Sequence, residues 1–373
     1  MNMKDFPKEL EHLRKYGKYC KKLKEGVYGF FINQFNENGT KNIDWYEFRV
    51  NTLGASEVAT ACEGGFDEFG IRAKLFWSKI GKKFPEIKSK FTFWGLELER
   101  NVATAWQYYD ATPEGYIDNR YAGQKVRSYQ ELNCYAINVK YPYLSASFDF
   151  LVPEGQVNPF TGEIIDFSYP LEIKTISTAA AEKYELGLPV RYIFQTHQQM
   201  IIWEVDYCEI AALKGGTDFE VYPIFMNDGI KEMVLKETKE FWDLVETARP
   251  IYNELEVCFD ENKKQEYVAQ LDAIEPSPEQ NKGYEEFWKE KYRETSEKKE
   301  KQGNEEDWAL AVGYKNILDQ EKELSDKKQL YKNNLLYTMK DCEELTFGDN
   351  GRVVHRNHEG SRTYFGVNIK NYK

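Results

Sequence analysis

Two stretches of strict apolar–polar alternation constrain this chain more than anything else in it. Successive side chains leave a strand on opposite faces. The run from Ser145 to Val152 therefore puts Ser145, Ser147 and Asp149 on one face, and Ala146, Phe148, Phe150 and Val152 on the other. The run from Leu171 to Thr175 sets Glu172 and Lys174 against Leu171, Ile173 and Thr175. A one-residue slip would expose every apolar side chain, so the register is tightly specified. Neighbouring strands of this kind turn their apolar faces to a core and gather Asp149, Glu172 and Lys174 in a cleft.

The flanking sequence places these strands in an α/β fold. Lys4 to Lys24 reads as a basic amphipathic helix, with a turn near Asn36 to Gly39. Trp45 to Cys62 predicts a short helix, a loop and a second helix N-capped by Ser56. Asp67 to Gly81 carries Ile71, Leu75, Trp77 and Ile80 at helical spacing. In a longer helix from Phe91 to Tyr109, the residues Leu96, Glu99, Ala103 and Trp106 form one stripe. A carboxylate on an apolar face needs a partner, so Glu99 is either ion-paired or a metal ligand. Three strands follow, Leu132–Val139, Ser145–Val152 and Phe167–Thr175, with the turn-rich residues 153–162 as an exposed loop. Next come a helix from Tyr192 to Val205, bearing Gln195, Gln198 and Gln199, and strands from Cys208 and from Val221. Helix, three strands, helix, strand is the order of a mixed sheet flanked by helices.

Composition shifts after Asn227. Residues from Lys231 to Glu343 are rich in Glu and Lys, with helical periodicity broken from Glu275 to Gly283. A second long helix runs from Glu305 to Lys340. The apolar positions do not sustain heptads, so the region reads as a helical hairpin or small helical domain rather than an isolated coiled coil. The tail from Leu345 to Ile369 alternates around Asn350-Gly351 and Glu359-Gly360, which predicts hairpin turns. The expected organisation is a catalytic α/β domain over residues 1–228, a charged helical extension over 229–343 and a short β tail over 344–373.

Charge and cysteine usage exclude several classes. The net charge of −12 argues against a general polyanion coat, although local basic patches decide nucleic-acid affinity. Arg72, Lys74, Lys79, Lys82, Lys83, Lys88 and Lys90, interrupted by Glu86, are either such a patch or a solvated helix face. The six cysteines are scattered without a C-x-x-C pair, as in reduced cytosolic proteins rather than zinc or iron–sulfur sites. His355 and His358 have metal-binding spacing but no supporting cysteine or carboxylate pair. The chain has neither an apolar leader at its start nor a run long enough to span a bilayer. A soluble, cytoplasmic protein without membrane contact is expected.

Two acids and a lysine in one cleft suit phosphodiester hydrolysis. That reaction needs an activated water, in-line geometry and neutralisation of the developing charge, much of which Mg2+ supplies, with Mn2+ as an alternative. Hard cations take carboxylate and carbonyl oxygens. Asp149 and Glu172 are the expected ligands, the carbonyl of Ile173 can add a third, and Glu99 can reach the same ion. Lys174 stabilises the phosphate or orients the water, and its charge keeps the acids ionised. An acid, any residue and a lysine recur by chance in any sequence. Here the motif ends an apolar strand, follows Asp149 and precedes a glutamine-bearing helix.

These residues resemble the λ exonuclease or YqaJ-type phage recombination nucleases, within the PD-(D/E)XK superfamily and its restriction-endonuclease-like fold. WYEFRVNTLGASEV from Trp45 is similar to the opening W-x-x-x-R…A-S-E-V block, and GLELE from Gly95 to the G-x-x-x-E helix. SASFDF and LEIKT correspond to the S-P-D and E-x-K strands, and YIFQTHQQM to the glutamine helix. The resemblance implies a metal-dependent DNA nuclease with Asp149, Glu172 and Lys174 as its catalytic set, Glu99 as an auxiliary ligand and Gln195 supporting the site. By position, Arg49, Ser56 and Ser147 would grip the 5′-phosphate of a DNA end. Phe148 stands where proline is usual, Phe150 replaces a small residue, and His197 replaces the second glutamine of Q-x-Q.

The implied activity is a 5′-3′ exonuclease on double-stranded DNA ends in phage-type recombination, in a bacterial or phage-infected cell. A single-strand annealing protein and further copies of the chain are the candidate partners. An endonuclease of the same class, and a non-catalytic DNA-binding scaffold, are the alternatives. The intact Asp149, Glu172 and Lys174 argue against the scaffold.

Overall fold

The computed structural model describes residues 6–63, 70–84, 90–109, 119–183, 187–280, 283–292, 302–356 and 364–370. The chain divides into two compact units, Met1–Arg293 and Glu294–Lys373. Among the described residues no helix is long and apolar enough to cross a membrane.

The first unit opens on a departure from expectation. Lys8–Tyr19 winds in 3-10 turns, and the chain then enters a hairpin of β1 (Cys20–Lys24) and β2 (Val27–Phe30), where a single amphipathic helix was predicted. The buried residues Leu10, Leu13 and Tyr16 explain this. They recur every third residue, the period at which 3-10 side chains eclipse, not the α-helical 3.6. Gly26, at φ 69°, makes the turn of the hairpin.

Helix α1 (Ile43–Val50) starts at Asn42, whose side chain accepts from the Asp44 N–H at 3.1 Å. The short β3 (Leu53–Gly54) leads into a 3-10 turn, Ala55–Glu57, and α2 (Val58–Ala61). Ser56 lies exposed inside that turn and is not an N-cap. The Gly54 N–H instead donates to the Glu57 carboxylate at 2.8 Å. Helices α3 (Arg72–Ile80) and α4 (Lys90–Trp106) follow. The predicted strands then appear as β4 (Tyr135–Asn138), β5 (Leu144–Ser147) and β6 (Phe150–Val152). The expected loop carries a small ribbon of β7 (Gln156–Val157) and β8 (Ile164–Ile165). Next are β9 (Tyr169–Ile176), α5 (Thr178–Lys183), α6 (Val190–Trp203), β10 (Tyr207–Lys214) and β11 (Asp218–Phe225).

These strands make two sheets, one ordered β1-β2-β4-β5-β3 and one ordered β11-β10-β9-β6. The second is mixed, with β9 antiparallel to β6 and parallel to β10. Ser145 to Val152, expected as one strand, is divided between the sheets. Ala146 and Phe148 enter a core with Phe76, Trp203 and Trp242, whereas Phe150 and Val152 enter another with Val102, Trp106 and Leu171. The alternation therefore breaks at Phe148–Asp149, and Ser145 is buried.

Helix α4 covers one face of the mixed sheet through Val102, Ala103 and Trp106, and α6 packs on the other near Ile176, Ile210 and Ala212. Leu96, predicted on the apolar stripe of α4, is 68% exposed. Behind the sheet, the fully buried Glu209 accepts from Trp106 Nε1 at 2.6 Å, Arg127 at 2.7 Å and Tyr207 at 2.7 Å. This network fixes the C-terminal end of α4, which a buried carboxylate without such partners could not do.

The composition shift at Asn227 does not coincide with the division into units. Helix α7 (Asp228–Val257) sends Phe241, Trp242, Val245 and Ala248 into the core with Phe76 and Trp77. Helices α8 (Glu261–Ile274) and α9 (Tyr284–Lys291) bracket the predicted break and belong to the same unit through Leu271 and Phe287. The second unit is one 35-residue helix, α10 (Glu305–Met339), rather than a helical hairpin. It is capped by Asn304 and carries no proline before Lys340 to break it. It is followed by antiparallel β12 (Glu344–Thr346), β13 (Gly351–Arg356) and β14 (Tyr364–Ile369). The turn at Asn350-Gly351 joins β12 to β13 as predicted, while Glu359-Gly360 and His358 lie outside the described residues.

Candidate active site

Strand β9 presents Glu172 and Lys174 on its α6 face. Glu172 is 2% exposed, a position a carboxylate occupies only when hydrogen-bonded. Its Oε1 accepts from Gln195 Nε2 at 2.6 Å, and its Oε2 from Gln199 Nε2 at 2.6 Å. Lys174 forms its salt bridge with the same carboxylate. Gln199 also donates to the Ser147 carbonyl at 3.2 Å, and Gln198 donates to the carbonyls of Leu53 and Ser145 at 2.9 and 3.0 Å. One helix thus ties β9 to the neighbouring sheet.

Asp149 occupies the break between β5 and β6. Pairing of β6 with β9 stops at Phe150 and Leu171, so the next inward-facing amide of β9 has no strand partner there. The Asp149 carboxylate takes that place, accepting from the Ile173 N–H at 2.7 Å. A residue's N–H and C=O leave a strand on the same side, so the Ile173 carbonyl faces the same edge. The departure from strand geometry is what frees Asp149 to serve the site.

Glu99 comes from α4, on the opposite face of the sheet. Its carboxyl is raised above the usual range by burial first and then by Glu172, against the pull of Lys174. Burial also raises Asp149, well above the ordinary carboxylate range, with Glu172 and Glu99 adding to it and Lys174 opposing. Burial works to lower Lys174, but Glu172 and Asp149 outweigh it and hold the ammonium above its usual value. The cluster therefore carries more negative charge than its lysine neutralises, the condition under which a bound cation is stabilising.

The donor chemistry of Asp149, Glu172 and the Ile173 carbonyl fits a hard divalent cation, since Mg2+ takes one or two carboxylates and completes its shell with water and phosphate oxygens. The larger expected set, with Glu99 as a further ligand, is not assembled: among the described residues no three His, Cys, Asp or Glu side chains group to hold a metal. Glu172 is turned to its two carboxamides, and Glu99 acts on the cluster through its charge.

Beside the acids lies a cavity of about 180 Å3 lined by Arg49, Thr52, Ser56, Glu57, Tyr135 and Ser147, among others. The three residues singled out for a phosphate grip thus line one cavity, although they come from α1, the 3-10 turn and β5. Ser147 and Asp149 stand at most about 7 Å apart along the chain, which couples cavity and acid cluster through a single segment. Arg49 stacks on Trp45, 4.8 Å from the ring centroid, and its guanidinium stands 3.5 Å from Glu57.

The basic cluster on α3 is not a surface patch. Arg72 is 5% exposed and donates to the Ala61 carbonyl at 2.8 Å, Lys79 is 2% exposed, and Lys74 pairs with Glu290 at 2.6 Å. Lys88 lies outside the described residues. Sequence reasoning also missed Tyr192, whose ring lies 4.9 Å from Lys174 Nζ, and the hydrogen bond from Gln199 to Glu172. The second was findable: Gln195 and Gln199 are four apart on a helix and share a face. His197, between them, is buried against the start of α7 instead, accepting from the Asn227 N–H at 3.1 Å.

Residues 44–206 match the YqaJ-like viral recombinase domain. Among solved structures, the alkaline exonuclease LHK-Exo from Laribacter hongkongensis is 18% identical, with 57% of this chain and 97% of that one covered at a TM-score of 0.42. The same enzyme in complex with dAMP is 19% identical, with coverage of 57% and 96% and a TM-score of 0.41. A phage related exonuclease from Haemophilus somnus 129PT is 10% identical, with coverage of 54% and 98% and a TM-score of 0.31. Comparison with curated proteins gave no match.

Proposed function

We propose that the protein is a divalent-metal-dependent exonuclease that degrades one strand of duplex DNA from a 5′-phosphorylated end. The observation carrying this reading is the cavity lined by Arg49, Ser56 and Ser147, placed beside Asp149, Glu172 and Lys174 by the segment 147–149. Arg49 offers a planar fork to a terminal phosphate, and the serine hydroxyls donate to its remaining oxygens. A phosphate held there brings the strand end alongside the acids, so positioning does much of the catalytic work.

Asp149, Glu172 and the Ile173 carbonyl would hold Mg2+ or Mn2+. When bound, the cation polarises the phosphoryl oxygens and lowers the pKa of its water. Lys174 keeps a fixed positive charge at the cluster, Gln195 and Gln199 orient Glu172, and Glu99 adds negative charge from the opposite side. Removal of the 5′ strand leaves a 3′ single strand, the substrate a single-strand annealing protein would take in recombination. Further copies of the chain are the other candidate partner.

The test is digestion of end-labelled linear duplexes carrying 5′-phosphate or 5′-hydroxyl, alongside covalently closed circles, with Mg2+ and with chelator. Metal-dependent release of nucleotides, fastest from the 5′-phosphorylated end, is the expected result. Equal cutting of linear and closed DNA would make the enzyme an endonuclease, and no cutting with metal present would make the fold a DNA-binding scaffold.

A further inference from the structure

The cavity holds a contradiction that its lining residues alone do not resolve. An arginine meant for phosphate has a carboxylate, Glu57, within reach, and a tight Arg49–Glu57 pair would close the cavity to anions. Yet the two stand 3.5 Å apart, at the outer limit of a hydrogen bond. The reason lies beneath the cavity. Glu57 Oε2 accepts from the Gly54 N–H at 2.8 Å and is paired with Lys79 Nζ at 2.7 Å. The Lys79 side chain is 3% exposed, whereas that of Arg49 is 40% exposed. The buried cation faces the carboxylate from inside, and the guanidinium meets it from the solvent side.

We infer that Lys79 is a positioning residue that holds the Glu57 carboxylate away from Arg49 and so keeps the guanidinium available to a terminal phosphate. This rests on the reading of the cavity as a 5′-phosphate site. Lys79 is also tied to the loop it controls: its ammonium donates to the carbonyls of Arg49 at 2.7 Å and Thr52 at 2.8 Å. Arg249 of α7 braces the same loop, donating to the carbonyls of Val50 and Lys79 at 3.0 Å each. A lysine with three oxygen partners satisfies its three donors completely, against a burial that pulls its pKa below the usual lysine range. Burial raises Glu57, but Lys79 and Arg49 outweigh it and hold the carboxyl below its usual range. It is therefore an anion at neutral pH, and its position decides whether Arg49 is occupied.

The experiment measures binding of short duplexes bearing a 5′-phosphate or a 5′-hydroxyl by fluorescence anisotropy, in chelator so that nothing is cleaved. The quantity read is the ratio of the two affinities. Wild type should favour the phosphate about tenfold or more, the worth of hydrogen bonds to a charged group. In Lys79→Met that preference should fall to about threefold or less, as Glu57 swings onto Arg49. Adding Glu57→Gln to Lys79→Met removes the competing charge and should restore the preference to within about threefold of wild type. A purely structural Lys79 would not be rescued in this way, so an unrescued loss overturns the inference, as does an undiminished preference in Lys79→Met. Should Lys79→Met fail to fold, Glu57→Gln alone decides: it should raise the preference, and a lowered one overturns the inference. A wild type that does not distinguish the two ends overturns the reading of the cavity itself.

Discussion

The acid cluster and the cavity beside it solve opposite problems. In the cluster, Glu172 is 2% exposed and both its oxygens are taken, by Gln195 and Gln199. Around the cavity, Ser56 and Ser147 are exposed, and Arg49 is held to its nearest carboxylate only loosely. The cluster concentrates negative charge in a dry environment, where each charge acts strongly. The cavity keeps a positive group, Arg49, half-exposed and only loosely paired with Glu57. On the function proposed above, chemistry that must not reorganise is locked in place, while recognition that must exchange its ligand is left open. The segment 147–149 belongs to both and is the only covalent link short enough to fix their spacing.

The sharpest way to break this contrast is at Glu172. Glu172→Gln keeps the shape and an acceptor for one carboxamide but removes the charge. Metal-dependent nucleotide release should fall about a thousandfold, the scale on which a preorganised charge acts in a transition state. The measurement is single-turnover digestion of a linear duplex, with a thermal melt to show that the protein is folded. Activity within tenfold of wild type would move the catalytic centre elsewhere. Lys174→Met should cost about a hundredfold by the same assay, since it removes a fixed positive charge.

Asp149 tests whether the cluster is charged beyond what its lysine balances. Its carboxyl is raised by burial and by Glu172, so it ionises only at higher pH than an ordinary aspartate. In the unfolded chain it ionises in the usual range, so the folded state is penalised as pH rises from that range through the raised value. In chelator, Asp149→Asn should therefore melt higher than wild type at neutral pH, and the difference should vanish at acid pH where both are uncharged. Activity should run the other way, with the wild-type acid limb lying at higher pH than an ordinary carboxylate would give. A variant that melts lower at neutral pH would show that the cluster is balanced without a cation.

How much of this was legible in the sequence follows the same division. Glu172 and Lys174 lie on one continuous strand, so alternation alone put them on one face, and the helix bearing Gln195 came from simple periodicity. Alternation pointed to Asp149 as well, but for an incomplete reason. Alternation assumed an unbroken strand, whereas the residue is useful because the strand breaks there and leaves the Ile173 N–H to its carboxylate. The cavity depends on segments that meet only in the folded chain, so its residues entered through a family resemblance. Lys79 was invisible for a related reason. In sequence it is one more cation in a basic run, and only burial against the Arg49 and Thr52 carbonyls separates it from its neighbours. The packing of α7 was not legible because Glu and Lys dominate the composition after Asn227, although Phe241, Trp242 and Val245 carry the packing that makes α7 part of the core.

Smaller effects sharpen the cavity side. Arg49→Ala should lower kcat/KM on 5′-phosphorylated ends about 10- to 100-fold, the worth of a charge-assisted contact, and affect 5′-hydroxyl ends much less. Equal loss on both ends would make Arg49 a general DNA contact. Ser147→Ala should cost least, about two- to tenfold on phosphorylated ends, because a single neutral donor is removed. It is also the most telling variant. The contact that Ser147 makes with α6 runs through its backbone carbonyl to Gln199, so deleting the hydroxyl leaves the link to Glu172 in place. A loss seen only on phosphorylated ends would show that the cavity reads the end independently of the chemistry. A loss on both ends would show that the segment from Ser147 to Asp149 transmits changes in the cavity to the acids, and that the two regions act as one site.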